Sequence, residues 1–231
     1  MSSIADNVGT VTRRIQKATL AVGREAGTVK LLAVSKTRPA SDIEAASEAG
    51  QHAFGENYLQ EALEKIDALS NLPGLEWHFI GPIQSNKTRQ IAQAFDWVHS
   101  VDRLKIARRL SEQREESSPP LNICLQVNVD KEDSKAGCSL DDVPTIARDI
   151  LALPNLCLRG LMAIPDPNQE DANLRASFQK LADALEALRR EHPDHQTFDT
   201  LSMGMSDDLE IAIEAGATWV RVGTAVFGPR G

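Results

Sequence analysis

Residues 30–55, KLLAVSKTRPASDIEAASEAGQHAFG, contain one complete strand–helix–strand repeat. The apolar run at 30–34 predicts a first strand. Residues 39–50 predict a helix, with a proline near its start and a glycine beyond its end, which is the usual asymmetry of helix termini. A second strand is expected at 52–55. This order predicts parallel strands that are connected by helices.

The same alternation continues along the rest of the chain. Further β-rich runs lie at residues 76–80, 97–101, 122–129, 158–164, 197–202 and 219–222. Helical patterns separate these runs, and an amphipathic helix is expected at about residues 2–22, before the first strand. About eight such repeats predict an α/β fold of the (β/α)8 TIM barrel type, as a single domain over residues 1–231. A doubly wound open sheet is the alternative.

Composition and charge exclude several classes of protein. The net charge of -8 provides no general basic field for nucleic acid or anionic lipid. No apolar segment is long enough for a membrane span or an export signal. The cysteines, Cys124, Cys138 and Cys157, have no CxxC spacing, which fits a reducing compartment. We expect a cytoplasmic protein without nucleic-acid, membrane or metal partners.

Lys36 is the first candidate for chemistry, because the active face of a parallel barrel lies at the carboxyl ends of its strands. In LLAVSKT it lies two residues beyond the predicted first strand. Partial removal from water would favour the neutral amine that attacks an aldehyde. On position alone, an ion-paired lysine at a strand end is the simpler interpretation.

Candidate phosphate-binding residues follow the predicted seventh and eighth strands. Ser206 precedes a helix predicted at 208–215, so its hydroxyl and nearby backbone N–H groups could face an anion. Gly223 and Thr224 follow the last strand, where glycine permits close approach of the backbone. Helix capping and turn formation would explain these residues equally well one by one. Together with a nucleophilic lysine, they predict a site for a phosphorylated aldehyde.

A family resemblance is carried by several stretches in order along the chain: LLAVSKT, FGENYLQE, EWHFIGPIQSNK, RGLMAI, LSMGMSDDLEIAI and VRVGTAVFG. Together they resemble the pyridoxal phosphate homeostasis protein family, of the YggS or PROSC type. The resemblance implies a fold-type III barrel, similar to the N-terminal domain of alanine racemase. It also implies that pyridoxal 5′-phosphate (PLP) is bound covalently, as a Schiff base, on Lys36.

The resemblance also assigns the other cofactor-binding residues. Arg221, on the last strand, matches an arginine that faces the pyridine nitrogen, and an arginine there weakens the ring as an electron sink. The phosphate is expected near Ser206, Gly223 and Thr224. Gly204 and Met205 would line the approach, and Asn57 would lie beside the Schiff base.

The implied function is PLP binding within intracellular vitamin B6 homeostasis, without substantial catalytic turnover and with no catalytic residue assigned. A second proton donor is unaccounted for, because the chain has a single tyrosine, Tyr58, and no tyrosine-bearing β domain like that of alanine racemase. PLP-dependent apoenzymes are candidate recipients, and we expect a monomer.

Two enzymatic alternatives stay open. One is a PLP-dependent racemase or decarboxylase of small amino acids, in which Tyr58, His78 or a cysteine is the second base. For His78, a hydrogen-bonded core histidine is the competing interpretation. The other alternative is a Schiff-base aldolase that acts on a sugar phosphate, and such a protein would not be yellow.

Overall fold

A computed structural model describes residues 2–130, 136–166 and 168–229. Eight parallel strands form a closed barrel in the order of the sequence. The barrel closes where the first strand pairs with the last, from Lys30 opposite Trp219 to Ala33 opposite Val222. The predicted (β/α)8 TIM barrel is confirmed. The open-sheet alternative is wrong, because this pairing leaves no free sheet edge.

The strands are β1 (Lys30–Val34), β2 (Ala53–Glu56), β3 (Glu76–Phe79), β4 (Trp97–Val101), β5 (Leu121–Gln126), β6 (Leu156–Met162), β7 (Thr200–Ser202) and β8 (Trp219–Val222). The helices are α1 (Ile4–Ala21), α2 (Ala40–Glu48), α3 (Leu59–Ala68), α4 (Thr88–Ala94), α5 (Leu104–Gln113), α6 (Val143–Leu151), α7 (Asp171–Glu191), α8 (Leu209–Glu214) and α9 (Thr224–Phe227). A short 3-10 helix, Leu140–Asp142, precedes α6.

Helix α1 precedes the barrel and packs against α2, α8 and α9. It begins with a capping box, in which the Ser3 hydroxyl accepts from the Asp6 amide while the Asp6 carboxylate accepts from the Ser3 amide. Its apolar face is buried, and Asn7 Nδ2 donates to the Val226 carbonyl at 2.9 Å. The opening helix expected at 2–22 is therefore present, and it is attached to the end of the barrel where α9 lies.

The agreement between predicted and observed strand bounds differs from strand to strand. Strands β1, β4 and β8 have the bounds that the sequence predicts, whereas β7 is shorter than the predicted 197–202. Its first residues form a turn instead, in which the Asp199 amide donates to the Thr197 carbonyl and the Thr197 hydroxyl donates to the Leu158 carbonyl. The Asp199 amide is shared with the Arg159 carbonyl of β6, and regular pairing of β7 with β6 begins only at Thr200.

The barrel interior is polar as well as apolar. Most of the buried aliphatic and aromatic side chains form one cluster between the strands and the helices. Inside the barrel lie fully buried polar groups, among them His78, His99 and Ser202. Buried polar groups need hydrogen-bond partners, so the bonds between these side chains contribute to the stability of the barrel interior. No helix within the described part of the chain is long and apolar enough to cross a membrane.

Candidate functional site

A cavity of about 540 Å³ opens at the carboxyl ends of the barrel strands. All but one of the predicted cofactor-binding residues line it: Lys36, Asn57, Met205, Ser206, Arg221, Gly223 and Thr224. The exception is Gly204, which is buried behind the cavity with a φ of +92°, and a Cβ there would lie 2.5 Å from the Ala212 Cβ. Gly204 thus allows close packing of the loop against α8 and does not line the approach.

The turn that carries Lys36 has an unusual backbone. Thr37 has a positive φ of 64°, a conformation that is costly for a residue with a branched Cβ. The Glu61 carboxylate accepts a hydrogen bond from the Thr37 amide at 2.6 Å, and the Arg38 amide donates to the Ser35 carbonyl. These two bonds hold the turn that projects Lys36 into the cavity.

A buried ion-pair cluster lies behind that turn. Lys65 Nζ donates to Glu56 Oε1 and to the Ser35 carbonyl, both at 2.8 Å, and to Glu61 Oε1 at 2.5 Å. The Ser35 hydroxyl also donates to Glu56 Oε1, at 2.6 Å. Burial raises the pKa of Glu56, while the hydrogen bonds from Lys65 and Ser35 oppose that shift. The cluster therefore joins β1, β2 and α3 beneath Lys36.

The sequence reasoning missed this cluster. Glu61 and Lys65 are four residues apart on one helix, and that spacing was the available signal. It suggested an exposed surface pair as readily as a buried one. Only the packing of α3 against the ends of β1 and β2 buries Lys65, and this packing was not predicted.

Asn57 contributes an unsatisfied polar atom to the cavity. Its Oδ1 is buried and has no hydrogen-bond partner within the described residues. A buried acceptor without a donor costs free energy, so such atoms in native proteins usually meet a donor from water or a ligand. Because Asn57 lines the cavity, this oxygen is available to a donor group of a bound molecule.

Arg221 provides the buried positive charge of the cavity. Its Nη1 donates to Ser202 Oγ at 2.8 Å, and its Nη2 donates to the Ala163 carbonyl at 2.9 Å. Burial lowers the pKa of Arg221 to about 10, so the guanidinium stays protonated at neutral pH. A cationic hydrogen-bond donor is thus held in one orientation by β6, β7 and β8.

The predicted phosphate-binding residues meet at the start of α9. A Cβ at Gly223 would lie 3.3 Å from the Val34 carbonyl oxygen, so β1 passes close to the backbone here. The first amide groups of a helix have no partner inside it, and those of Thr224 and Ala225 begin α9. Ser206 lines the same cavity from the loop after β7.

The helix predicted at 208–215 differs from expectation. It covers only Leu209–Glu214, and the Asp208 carboxylate accepts from the Met205 amide at 2.5 Å. The Met205 amide, one of the backbone donors that the sequence suggested for an anion, is therefore already hydrogen-bonded to a carboxylate. A helix of six residues also adds little electrostatic field at its N-terminus. We therefore assign no anion contact to α8.

Arg14 was also missed by the sequence reasoning. It extends from α1 to the rim of the cavity, where Nη1 donates to the Ser206 carbonyl at 2.7 Å. Its Nε and Nη2 donate to the Glu210 carboxylate at 2.5 and 2.6 Å. This bidentate pair raises the pKa of Arg14 and fixes the loop that carries Ser206. Nothing in an amphipathic N-terminal helix indicated such a contact.

The second bases that the racemase alternative requires lie elsewhere. Among the described residues that line the cavity there is no tyrosine, histidine or cysteine. Tyr58 is exposed to solvent, whereas His78 is fully buried inside the barrel. The described part of the chain also has no cluster of three or more His, Cys, Asp or Glu side chains that could hold a metal ion.

Comparisons with known proteins agree with this geometry. The family model described as "Alanine racemase, N-terminal domain" matches residues 7–231. A relative from Pseudomonas aeruginosa, named pyridoxal phosphate homeostasis protein, is 60% identical over 230 residues, which are 100% of this chain and 97% of the relative. A relative of the same name from Escherichia coli K12 is 49% identical over 232 residues, 100% of this chain and 98% of the relative.

A solved structure is similar to this chain in both sequence and fold. PipY of Synechococcus elongatus, described as having PLP bound, is 38% identical to this chain, with a TM-score of 0.81. The match covers 93% of this chain and 100% of that one.

Proposed function

Since the chain belongs to the pyridoxal phosphate homeostasis protein family and carries an alanine racemase N-terminal domain, we propose that it binds PLP and takes part in intracellular vitamin B6 homeostasis. The observation that carries the proposal is the meeting of Lys36, Arg221 and the Gly223–Thr224 turn in one cavity at the active face of the barrel. We further propose that residues 1–231 act as one domain.

The residues present fit this cofactor. The cavity of about 540 Å³ has the size of a small-molecule site. It offers an amine at Lys36, a cationic donor at Arg221 and the buried, unpartnered Asn57 Oδ1. The backbone at Gly223 is open enough for a phosphate oxygen to approach Thr224, because glycine places no side chain there.

Each of these residues has a proposed task. The amine of Lys36 forms the Schiff base, which is the reversible covalent attachment that the PLP aldehyde makes possible. Ser206 and the backbone amides of Gly223 and Thr224 hold the phosphate. Arg221 donates toward the ring nitrogen, and Asn57 accepts a hydrogen bond beside the attachment point. Bound PLP supplies electron withdrawal, and a cationic arginine at the ring nitrogen restrains it.

We propose that the protein carries PLP without substantial turnover. General acid–base catalysis on an amino acid needs a second positioned proton donor. Tyr58, His78 and the cysteines do not line the cavity, which supports a carrier over a racemase or decarboxylase. We propose PLP-dependent apoenzymes as recipients, a monomeric state and a cytoplasmic location.

Absorbance and peptide mapping together test the proposal. The purified protein mixed with PLP should show a band at roughly 410–430 nm, which borohydride removes. Digestion and mass spectrometry should then find the reduced label on Lys36. A protein that gains no such band, or a label spread over exposed lysines with none on Lys36, would contradict it.

A further inference from the structure

A chain of polar side chains crosses the barrel interior from one end to the other. Glu76 Oε1 lies 2.7 Å from His78 Nε2, and His78 Nδ1 lies 2.8 Å from His99 Nε2. His99 Nδ1 lies 2.7 Å from Ser202 Oγ, which accepts from Arg221 Nη1 at 2.8 Å. Four successive hydrogen bonds thus connect a carboxylate to the arginine of the cofactor cavity.

The two ends of the chain belong to different faces of the barrel. Arg221 lines the cavity at the carboxyl ends of the strands. The Glu76 side chain is 43% exposed and lines a second cavity, of about 470 Å³, at the opposite ends. The chain therefore provides a physical connection between solvent on one face and the cofactor cavity on the other.

Aromatic rings shield the middle of the chain from water. His78 and His99 are both fully buried. The Trp97 ring stacks on His78 with centroids 5.4 Å apart and planes 6° from parallel, while Trp219 packs edge-on at 4.9 Å. Hydrogen bonds in such an environment are stronger than in water, and an unmade one is costly.

Donor and acceptor rules give this chain one direction. A guanidinium can only donate, so Ser202 Oγ accepts from Arg221, and its own proton is free to go to His99 Nδ1. A neutral His99 then carries its proton on Nε2 and donates to His78 Nδ1. His78 likewise carries its proton on Nε2 and donates to the Glu76 carboxylate. If the hydrogen bonds ran in the opposite direction between neutral histidines, His78 Nε2 would carry no proton. Two acceptors, this nitrogen and the Glu76 carboxylate, would then face each other.

The burial of the histidines favours this neutral arrangement. Burial lowers the pKa of both rings, and that of His99 well below its usual range. For His78, the carboxylates of Glu76 and Asp96 oppose the shift and Lys30 adds to it. For His99, the neighbouring His78 and Arg221 both add to it. The hydrogen bond from His78 lowers the pKa of Glu76, which keeps that end of the chain ionised.

We propose that Glu76, His78, His99 and Ser202 are positioning residues, whose one-way hydrogen-bond chain orients Arg221 toward the ring nitrogen of the bound cofactor. Through this chain, the charge of a carboxylate on the far face acts on the arginine. The inference rests on the proposed function, because only a bound PLP gives Arg221 a ring nitrogen to face.

Nitrogen NMR on the cofactor-free protein tests the chain itself. The protein has five histidines. A variant with His52→Gln, His192→Gln and His195→Gln therefore keeps only His78 and His99. We expect both rings to be Nε2–H tautomers that do not titrate near the ordinary histidine pKa of about 6.5. An Nδ1–H tautomer at either ring, or ordinary titration of either, would overturn the proposal without bearing on PLP binding.

A second experiment follows the ring nitrogen of bound, ¹⁵N-labelled PLP. Glu76→Gln keeps an acceptor for His78 but removes the charge, and Ser202→Ala removes the acceptor of Arg221 Nη1. We expect the ring-nitrogen resonance to move in both variants and to stay unchanged in Glu25→Gln, an exposed control. Ser202→Ala should also weaken PLP binding by about tenfold, because it deletes a hydrogen bond to a charged group.

Rescue and failure are distinguishable in this design. Ser202→Thr, which restores the hydroxyl, should recover the wild-type resonance. If Glu76→Gln and Ser202→Ala both leave resonance and affinity unchanged, the chain does not position Arg221. If the wild-type protein takes up no PLP, the proposed function fails, while the histidine tautomers still report on the chain.

Discussion

The ammonium of Lys65 lies 2.8 Å from the carboxylate of Glu56, and both side chains are buried directly behind the turn that carries Lys36. Two charges removed from water are expensive unless each neutralises the other. Lys65 also donates to the Ser35 carbonyl next to Lys36 in the chain. The site that presents the reactive amine therefore depends on an ion pair that touches no ligand.

Lys65→Met should destabilise the protein by about 3–5 kcal/mol at neutral pH, since it leaves the Glu56 carboxylate buried without its partner. The pKa of Glu56 is already raised in the folded state. A raised carboxyl pKa means that stability is fully present below the unfolded pKa and is lost as pH rises through the folded pKa. The defect should therefore shrink in acid.

Urea unfolding of the variant between acid and neutral pH measures this effect. Lys180→Met, on the exposed face of α7, is the matched control and should change stability by less than about 0.5 kcal/mol. A Lys65→Met defect that is equally large at every pH would show that lost packing, and not the carboxylate, is responsible.

Lys36→Ala should abolish the absorption band at roughly 410–430 nm that PLP produces in the wild-type protein, because no other amine is expected to form the Schiff base in the cavity. Borohydride reduction followed by peptide mapping should show no label in the cavity. Lys105→Ala, which removes an exposed lysine of α5, should keep the full band. A band of wild-type size in Lys36→Ala, with the label on another lysine, would show that Lys36 is not the attachment site.

Ser206→Ala should weaken PLP retention by about ten- to a hundredfold, because a hydrogen bond to a charged phosphate contributes roughly 1.5–3 kcal/mol. Equilibrium dialysis gives the two dissociation constants. Pyridoxal, which has no phosphate, is the control ligand and should lose little affinity in this variant. If the wild-type protein held pyridoxal as tightly as PLP, there would be no phosphate site after β7 and β8.

Gly223→Val should weaken PLP binding more than Ser206→Ala does. Its Cβ would lie 3.3 Å from the Val34 carbonyl oxygen, and the branched side chain would cover the approach to Thr224. Gly23→Val provides a comparison at a glycine that does not line the cavity and whose Cβ would meet no atom within 4 Å, although its φ of +72° adds backbone strain. Equal loss of PLP in both variants would indicate general destabilisation of the fold and not obstruction at Gly223.

The PLP-loaded protein should not racemise or decarboxylate free amino acids at a useful rate, since no tyrosine, histidine or cysteine among the described residues lines the cavity. Chiral analysis after incubation with single L-amino acids measures the rate. Tyr58→Phe should leave the absorption band unchanged, because Tyr58 does not line the cavity. Steady racemisation at about one per second or faster, as in ordinary enzymes, would contradict the carrier proposal.

The sequence alone predicted the barrel and seven of the fifteen residues that line the cavity. Short β-rich runs mark β1, β4 and β8, although polar side chains such as His99 and Arg221 interrupt the apolar residues of the last two. Lys36, Ser206 and Gly223 come directly after strands or in the loops that follow them, and parallel strands bring all their carboxyl ends to one face. Local order along the chain was enough for these predictions.

Only the tertiary structure decided how the polar groups pair. Arg14 donates to the Ser206 carbonyl, which is 192 residues away in the sequence, and His99 is hydrogen-bonded to Ser202, which is 103 residues away. Such pairs depend on the register between strands and on where α1 packs. The apolar pattern of the sequence indicates which residues are buried, but it does not indicate which atom each of them contacts. The sequence could therefore show that Lys36 and Arg221 reach one cavity, whereas the barrel's closure determined which buried groups hold them there.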